Sequence, residues 1–134
     1  MAPGDARVLI ATDADVVAAR QKGREIASAR GFSATDQTLI ATAISEVARN
    51  IVTYAGTGRI DVSPIDDHGR AGILVIASDE GPGIPDTALA MRDGYSTANS
   101  LGLGLPGAKR LMDEFEIVST VGGGTTVTMR KWVR

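Results

Sequence analysis

The chain has 134 residues, of which 43% are hydrophobic and 22% charged, with a formal net charge of −2 and no cysteine. This length predicts one domain able to bury a proper core, and the near-neutral balance gives no electrostatic reason to expect nucleic acid or an anionic membrane as a partner. The lack of cysteine excludes disulfides, thiolate nucleophiles and cysteine metal sites. No apolar run approaches the ~20 residues of a membrane span, and the opening residues lack a basic segment followed by a long apolar one, so the cytoplasm is the expected location.

Taken in order, Arg7–Thr12 reads as a first strand ending at a helix cap. Asp13–Arg30 suits a helix stopped by Gly31, with Gly23 inside it costing about 1 kcal/mol relative to alanine. Ser33-Ala-Thr-Asp36 has the form of a capping sequence and opens a second helix of about 18 residues. Its apolar stripe is Ile40, Ile44, Val47 and Ile51. At roughly 100° per residue, Glu46 and Asn50 fall together at the border of that stripe, one turn apart, while Arg49 faces nearly away as a solvated charge.

Two strand-like runs follow, Arg59–Asp66 and Gly72–Ser78, joined by a polar turn around His68; they predict a hairpin. The second run is almost continuously apolar and is expected in the middle of the sheet. A third helix is expected from about Pro106 to Asp113, with Lys109 and Arg110 on its exposed face. Phe115–Thr120 and Thr125–Trp132 then form a last strand pair across Val121-Gly-Gly-Gly124, with Trp132 read as packing. Consecutive strands and short connections predict an α+β, two-layer sandwich: a mixed, largely antiparallel sheet with helices on one face.

Between Asp79 and Gly107 the texture changes, and three of the five prolines gather there. Asp79-Glu-Gly-Pro-Gly-Ile84 follows directly on the buried strand. A carboxylate at a strand end can accept a hydrogen bond from an exocyclic amine such as that of adenine, and Gly81 and Gly83 let backbone approach a flat ring closely. By itself such a string is more often a plain turn. Gly102-Leu-Gly-Leu-Pro-Gly107 runs into a helix start, where free N–H groups and the helix dipole suit phosphate, although a turn plus a cap reads equally well. The segment from Pro85 to Leu105 is expected to be a mobile lid that phosphate contacts would order.

Order and spacing add specificity. A helical E-x-x-x-N (Glu46, Asn50), then strand-DEGPGI, then GLGLPG-helix, then GGGTT-strand resembles the motif order of the GHKL, or Bergerat-fold, ATP-binding superfamily. That superfamily holds DNA gyrase, Hsp90, histidine kinases and MutL. The small size and the wording of the boxes make the chain most similar to the serine/threonine kinases of bacterial partner-switching pathways, in particular the switch kinases of stress-signalling complexes. The resemblance implies ATP and Mg²⁺ as cofactors. It implies that Asp79 reads the adenine amino group, that Gly81 and Gly83 shape the pocket, and that Thr125 supports a water network beside the adenine. Gly102, Leu103, Gly104 and Leu105 would close over the triphosphate. Asn50 would give its side-chain oxygen to Mg²⁺, and Glu46 would act as general base on the acceptor hydroxyl. The implied substrate is a STAS-domain antagonist or scaffold protein, and release from it would free the kinase to activate a PP2C-type phosphatase. Rival readings are an anti-sigma factor kinase that binds a sigma factor directly, and a nucleotide-dependent interaction module without phosphoryl transfer.

Overall fold

A computed structural model describes residues 4–83 and 104–134. Strand β1 (Ala6–Ile10) leads into helix α1 (Asp13–Ala29). The strand stops short of Thr12 because the backbone N–H groups of Ala11 and Thr12 both donate to Asp15 Oδ2, at 2.9 and 3.0 Å. This cap at the third helical position diverts both groups from any sheet ladder. Helix α1 ends where expected, with Gly31 in the left-handed region at φ +91°. Helix α2 (Ala34–Tyr54) starts at Ser33, whose hydroxyl accepts the N–H of Asp36 at 3.1 Å, and its 21 residues outrun the expected length by a turn. Ile40, Ile44, Val47 and Ile51 are all buried, as the stripe predicts.

Strands β2 (Gly58–Asp67) and β3 (Arg70–Asp79) form the expected hairpin. His68 at φ +50° and Gly69 at φ +81° make its two-residue turn, and both are exposed. Two consecutive positive φ values give the turn the twist that antiparallel strands need. Helix α3 (Gly104–Leu111) begins before Pro106, and β4 (Glu114–Thr120) and β5 (Gly124–Trp132) close the described chain. Lys109 and Arg110 lie on the exposed face of α3.

The five strands lie in the order β1-β2-β3-β5-β4. Among the described residues every strand pairing is antiparallel, so the mixed sheet expected from sequence is corrected to an antiparallel one. Strand β3 is central, as its apolar run predicts. The alternate residues Ile60, Val62, Ile73, Val75, Ala77, Val127 and Met129 turn to one face, where they cluster with Val16, Ile40, Ile44, Val47 and Ile51 of the helices. Each valine, isoleucine or methionine side chain that is fully removed from water there contributes about 1.5–3 kcal/mol.

Two close approaches explain residues that the sequence left ambiguous. A Cβ on Gly23 would overlap the end of Ile44, so the glycine is the contact point of α1 with α2 and not merely a weak spot in a helix. A Cβ on Gly72 would lie 2.5 Å from the Trp132 ring. The indole lies across β3 on the face opposite the helices, with Nε1 donating to Glu114 Oε2 at 2.8 Å and the Arg70 guanidinium 4.9 Å from the ring centroid. Among the described residues no helix is long and apolar enough to cross a membrane.

Candidate nucleotide site

The predicted site residues come from three places in the fold: the C-terminal half of α2, the ends of β3 and β5, and the start of α3. Glu46 and Asn50 lie one turn apart on α2. Asn50 is half-buried, but Glu46 is only 4% exposed, which corrects its expected place at the border of the apolar stripe. The reason is tertiary. The N-terminus of α3 packs against α2, and the Gly104 N–H donates to Glu46 Oε2 at 2.8 Å across 58 positions of sequence. A second correction concerns Arg49. It does not face away as a solvated charge, because its Nη1 meets Glu46 Oε1 at 2.8 Å and its side chain is about one-third exposed at 37%. The carboxylate is therefore held through both oxygens, one by its own helix and one by the glycine box.

At the end of β3, Asp79 pairs across the sheet with Gly58 on one side and Thr125 on the other. Its Oδ1 accepts the Gly81 N–H at 2.9 Å, an Asx-type turn that takes the chain off the strand. Gly81 and Gly83 are where close approach matters, yet the neighbours here are the protein's own. A Cβ on Gly81 would lie 2.6 Å from the Ala55 Cβ at the end of α2, and one on Gly83, at φ +78°, would collide with the Thr120 carbonyl. The Gly122 N–H also donates to the Pro82 carbonyl at 2.8 Å. The Asp79–Gly83 turn is thus clamped between the end of α2 and the β4–β5 hairpin.

Thr125 is buried beside Asp79, and its Oγ1 lies 2.8 Å from Ser119 Oγ. Gly104, at φ +54°, opens α3, and Leu105 is buried in the core cluster, so its side chain is packing and its backbone borders the glycine box. Gly102 and Leu103, with the greater part of the expected lid, lie outside the described residues. The structure thus brings Glu46 and Gly104 into contact and sets Asp79 beside Thr125. Sequence reasoning missed two contributors. Arg49 could have been found from its spacing three residues after Glu46, a standard pairing distance on a helix. Ser119 carries no signal in spacing or composition, since it meets Thr125 only across the β4–β5 register.

The sequence profile of the histidine kinase-like ATPase domain matches residues 9–131, an interval that takes in every residue of this arrangement. The chain belongs to that family. It is 54% identical over 127 residues to the serine/threonine-protein kinase RsbT of Bacillus subtilis, covering 95% of this chain and 96% of that one. It is 35% identical over 102 residues to an anti-sigma F factor of Caldanaerobacter subterraneus, covering 70% and 68% of the two chains. Among solved structures, the RsbU and RsbW domains of Rv1364c from Mycobacterium tuberculosis superpose with a TM-score of 0.65 at 23% identity. That match covers 97% of this chain and 33% of the other, and it supports the shared fold.

Proposed function

We propose that this protein acts as a single ATP-binding domain with serine/threonine-protein kinase activity in the cytoplasm of a bacterial partner-switching system. It phosphorylates a STAS-domain partner, and its release from that partner frees it to activate a PP2C-type phosphatase. The observation that carries this reading is the buried Glu46 carboxylate, held against the first N–H of α3 at the mouth of the glycine box. A carboxylate in that position serves a proton-transfer role better than a structural one, because burying it carries a desolvation cost that a neutral side chain would avoid. Near-full-length similarity to RsbT supports the switch-kinase reading over the anti-sigma reading, whose relatives match over a shorter part of the chain.

In this reading Asp79 accepts the adenine amine with the lone pairs left free by Gly81, while Thr125 and Ser119 supply hydroxyls beside it. The glycine box receives the phosphates on its N–H groups. Glu46 takes the hydroxyl proton of the acceptor serine or threonine as that hydroxyl oxygen bonds to the γ-phosphorus, and the bond from that phosphorus to the β–γ bridging oxygen breaks to leave ADP. The donor set fits Mg²⁺: half-buried Asn50, one turn from Glu46, offers one neutral oxygen of the kind that complements phosphate and water ligands. Asn50 would hold the ion, which when bound neutralises charge on the phosphate oxygens.

The test is a pair of variants assayed for both nucleotide affinity and transfer to the partner. The partner itself is found by incubating host lysate with the kinase and γ-labelled ATP, then mapping the phosphosite. Glu46→Gln keeps an acceptor for Gly104 and should leave ATP affinity nearly intact, while transfer falls ~10²–10⁴-fold. Asn50→Ala should weaken ATP binding only when Mg²⁺ is present, so that the two variants bind alike in EDTA. Transfer by Glu46→Gln at the wild-type rate would remove Glu46 as the base.

A further inference from the structure

We infer that Arg49 is a positioning residue for phosphoryl transfer: its guanidinium holds the Glu46 carboxylate turned toward the glycine box. The inference rests on the reading of Glu46 as the base and extends it to a residue that sequence had set on the solvated face. A carboxylate only 4% exposed has little water to orient it, so the protein groups that bond its two oxygens set the direction in which it can accept a proton. Among the described residues the ion pair that Glu46 makes is with Arg49. Arginine is suited to this task because it stays protonated at any working pH and its planar fork fixes the direction of the bond it gives.

Geometry strengthens the case. Arg49 holds Oε1 from within α2, three residues along the same helix face, and the Gly104 N–H holds Oε2 from α3. A group anchored on both oxygens has a set plane, and losing one anchor lets the carboxylate turn about the other. Displacements on the order of 1 Å at a reacting group can cost ~100-fold in rate. The partial exposure of Arg49 lets water satisfy its remaining N–H groups, so the arginine supplies its charge without being buried itself. Its exposed side also borders a cleft between α1 and α2, next to Asp13 and Arg20.

The experiment uses the full chain, γ-labelled ATP and the STAS-domain protein that the lysate labelling identifies. Arg49→Met keeps the aliphatic stem and removes the charge; Arg49→Lys keeps a charge without the fork. At saturating ATP, Arg49→Met should transfer about 10- to 100-fold more slowly than wild type, with KM for ATP within about threefold. Arg49→Lys should recover to within about tenfold of wild type, since a point charge still pairs with the carboxylate but orients it less well. In a Glu46→Gln background, Arg49→Met should cause no further loss, because the carboxylate it serves is already gone. Thermal melts accompany each variant, and transfer is compared at a temperature below the lowest melting transition, so that a folding defect in Arg49→Met is not read as slower transfer. Wild-type transfer by Arg49→Met overturns the inference, as does a loss confined to KM or a loss that adds in full to that of Glu46→Gln. A Glu46→Gln variant as fast as wild type instead overturns the base assignment, and the inference with it.

Discussion

At the scale of single residues the proposed nucleotide site depends on how Asp79 is held. Its Oδ1 is committed to the Gly81 N–H, and its backbone is locked between Gly58 and Thr125. Asp79→Asn keeps an oxygen for Gly81 but replaces the other acceptor with a donor, which would face the adenine amine. Nucleotide titration should show ATP and ADP weakened alike by roughly ten- to a hundredfold, or about 1–3 kcal/mol. Equal binding by variant and wild type would take Asp79 out of the pocket. Gly124 is the complementary case. It sits at φ +91°, and a Cβ there would collide with the Asp79 carbonyl. Gly124→Ala should cost on the order of 1–3 kcal/mol in urea unfolding and lower nucleotide affinity as well, because relief of the clash must move Asp79. Full stability with intact affinity would show that the turn is softer than its geometry indicates.

At the scale of elements, the N-terminus of α1 is a titratable cap. Two backbone N–H groups on Asp15 hold its carboxyl below the usual carboxylate value. A depressed folded pKa means that the ionised form favours the folded state. Its contribution is complete above the unfolded value near ~3.9 and is lost as pH falls through the lower folded value. Asp15→Asn should therefore melt below wild type at pH 7, with the two melting curves converging below about pH 4. A gap that persists unchanged in acid would assign the cap to shape instead of charge. The packing of α1 on α2 gives a second prediction. Gly23→Ala gains about 1 kcal/mol of helix propensity but overpacks Ile44, a fully buried side chain, at about 1–3 kcal/mol. The single variant should lose stability, and adding Ile44→Val, which deletes the overlapping methyl, should recover part of the loss. A purely additive double variant would mean that α1 shifts to absorb the new methyl.

For the whole molecule, the site is a meeting of parts that the sheet holds in place. Strand β3, central and buried, carries Asp79 to one end of the sheet; β5 brings Thr125 alongside, and α2 crosses above with Glu46. Nucleotide that binds this assembly must stabilise all of it, since the unfolded chain brings none of these groups together. With Mg²⁺–ATP at a hundred times its Kd, the gain is about 2.7 kcal/mol, enough to raise the melting temperature by several degrees. Asp79→Asn at the same ATP concentration should show a much smaller rise. A wild-type melting temperature that ignores saturating ATP would mean that the nucleotide does not engage the folded state described here.

Much of this protein was legible in its sequence because much of it is local. A 3.6-residue period is written into Ile40, Ile44, Val47 and Ile51, and all four are buried. The His68–Gly69 turn, the Ser33 cap and the central place of β3 follow from neighbouring residues alone. The order of the glycine boxes was likewise enough to point to a family that the profile match then showed. Periodicity, however, describes one helix at a time, and burial depends on what packs against it. Glu46 reads as a border residue until α3 arrives from 58 positions away and covers it, and Arg49 reads as solvated until Glu46 is buried beside it. Gly23 reads as a flaw until Ile44 occupies the space that its side chain would need. The antiparallel pairing of β3 with β5 skips over β4 and the whole glycine-rich stretch, a choice that no local pattern encodes. Which residues could do chemistry was set by residue type and spacing. Which of them are dry, paired and aimed was decided by contacts between segments far apart in the chain.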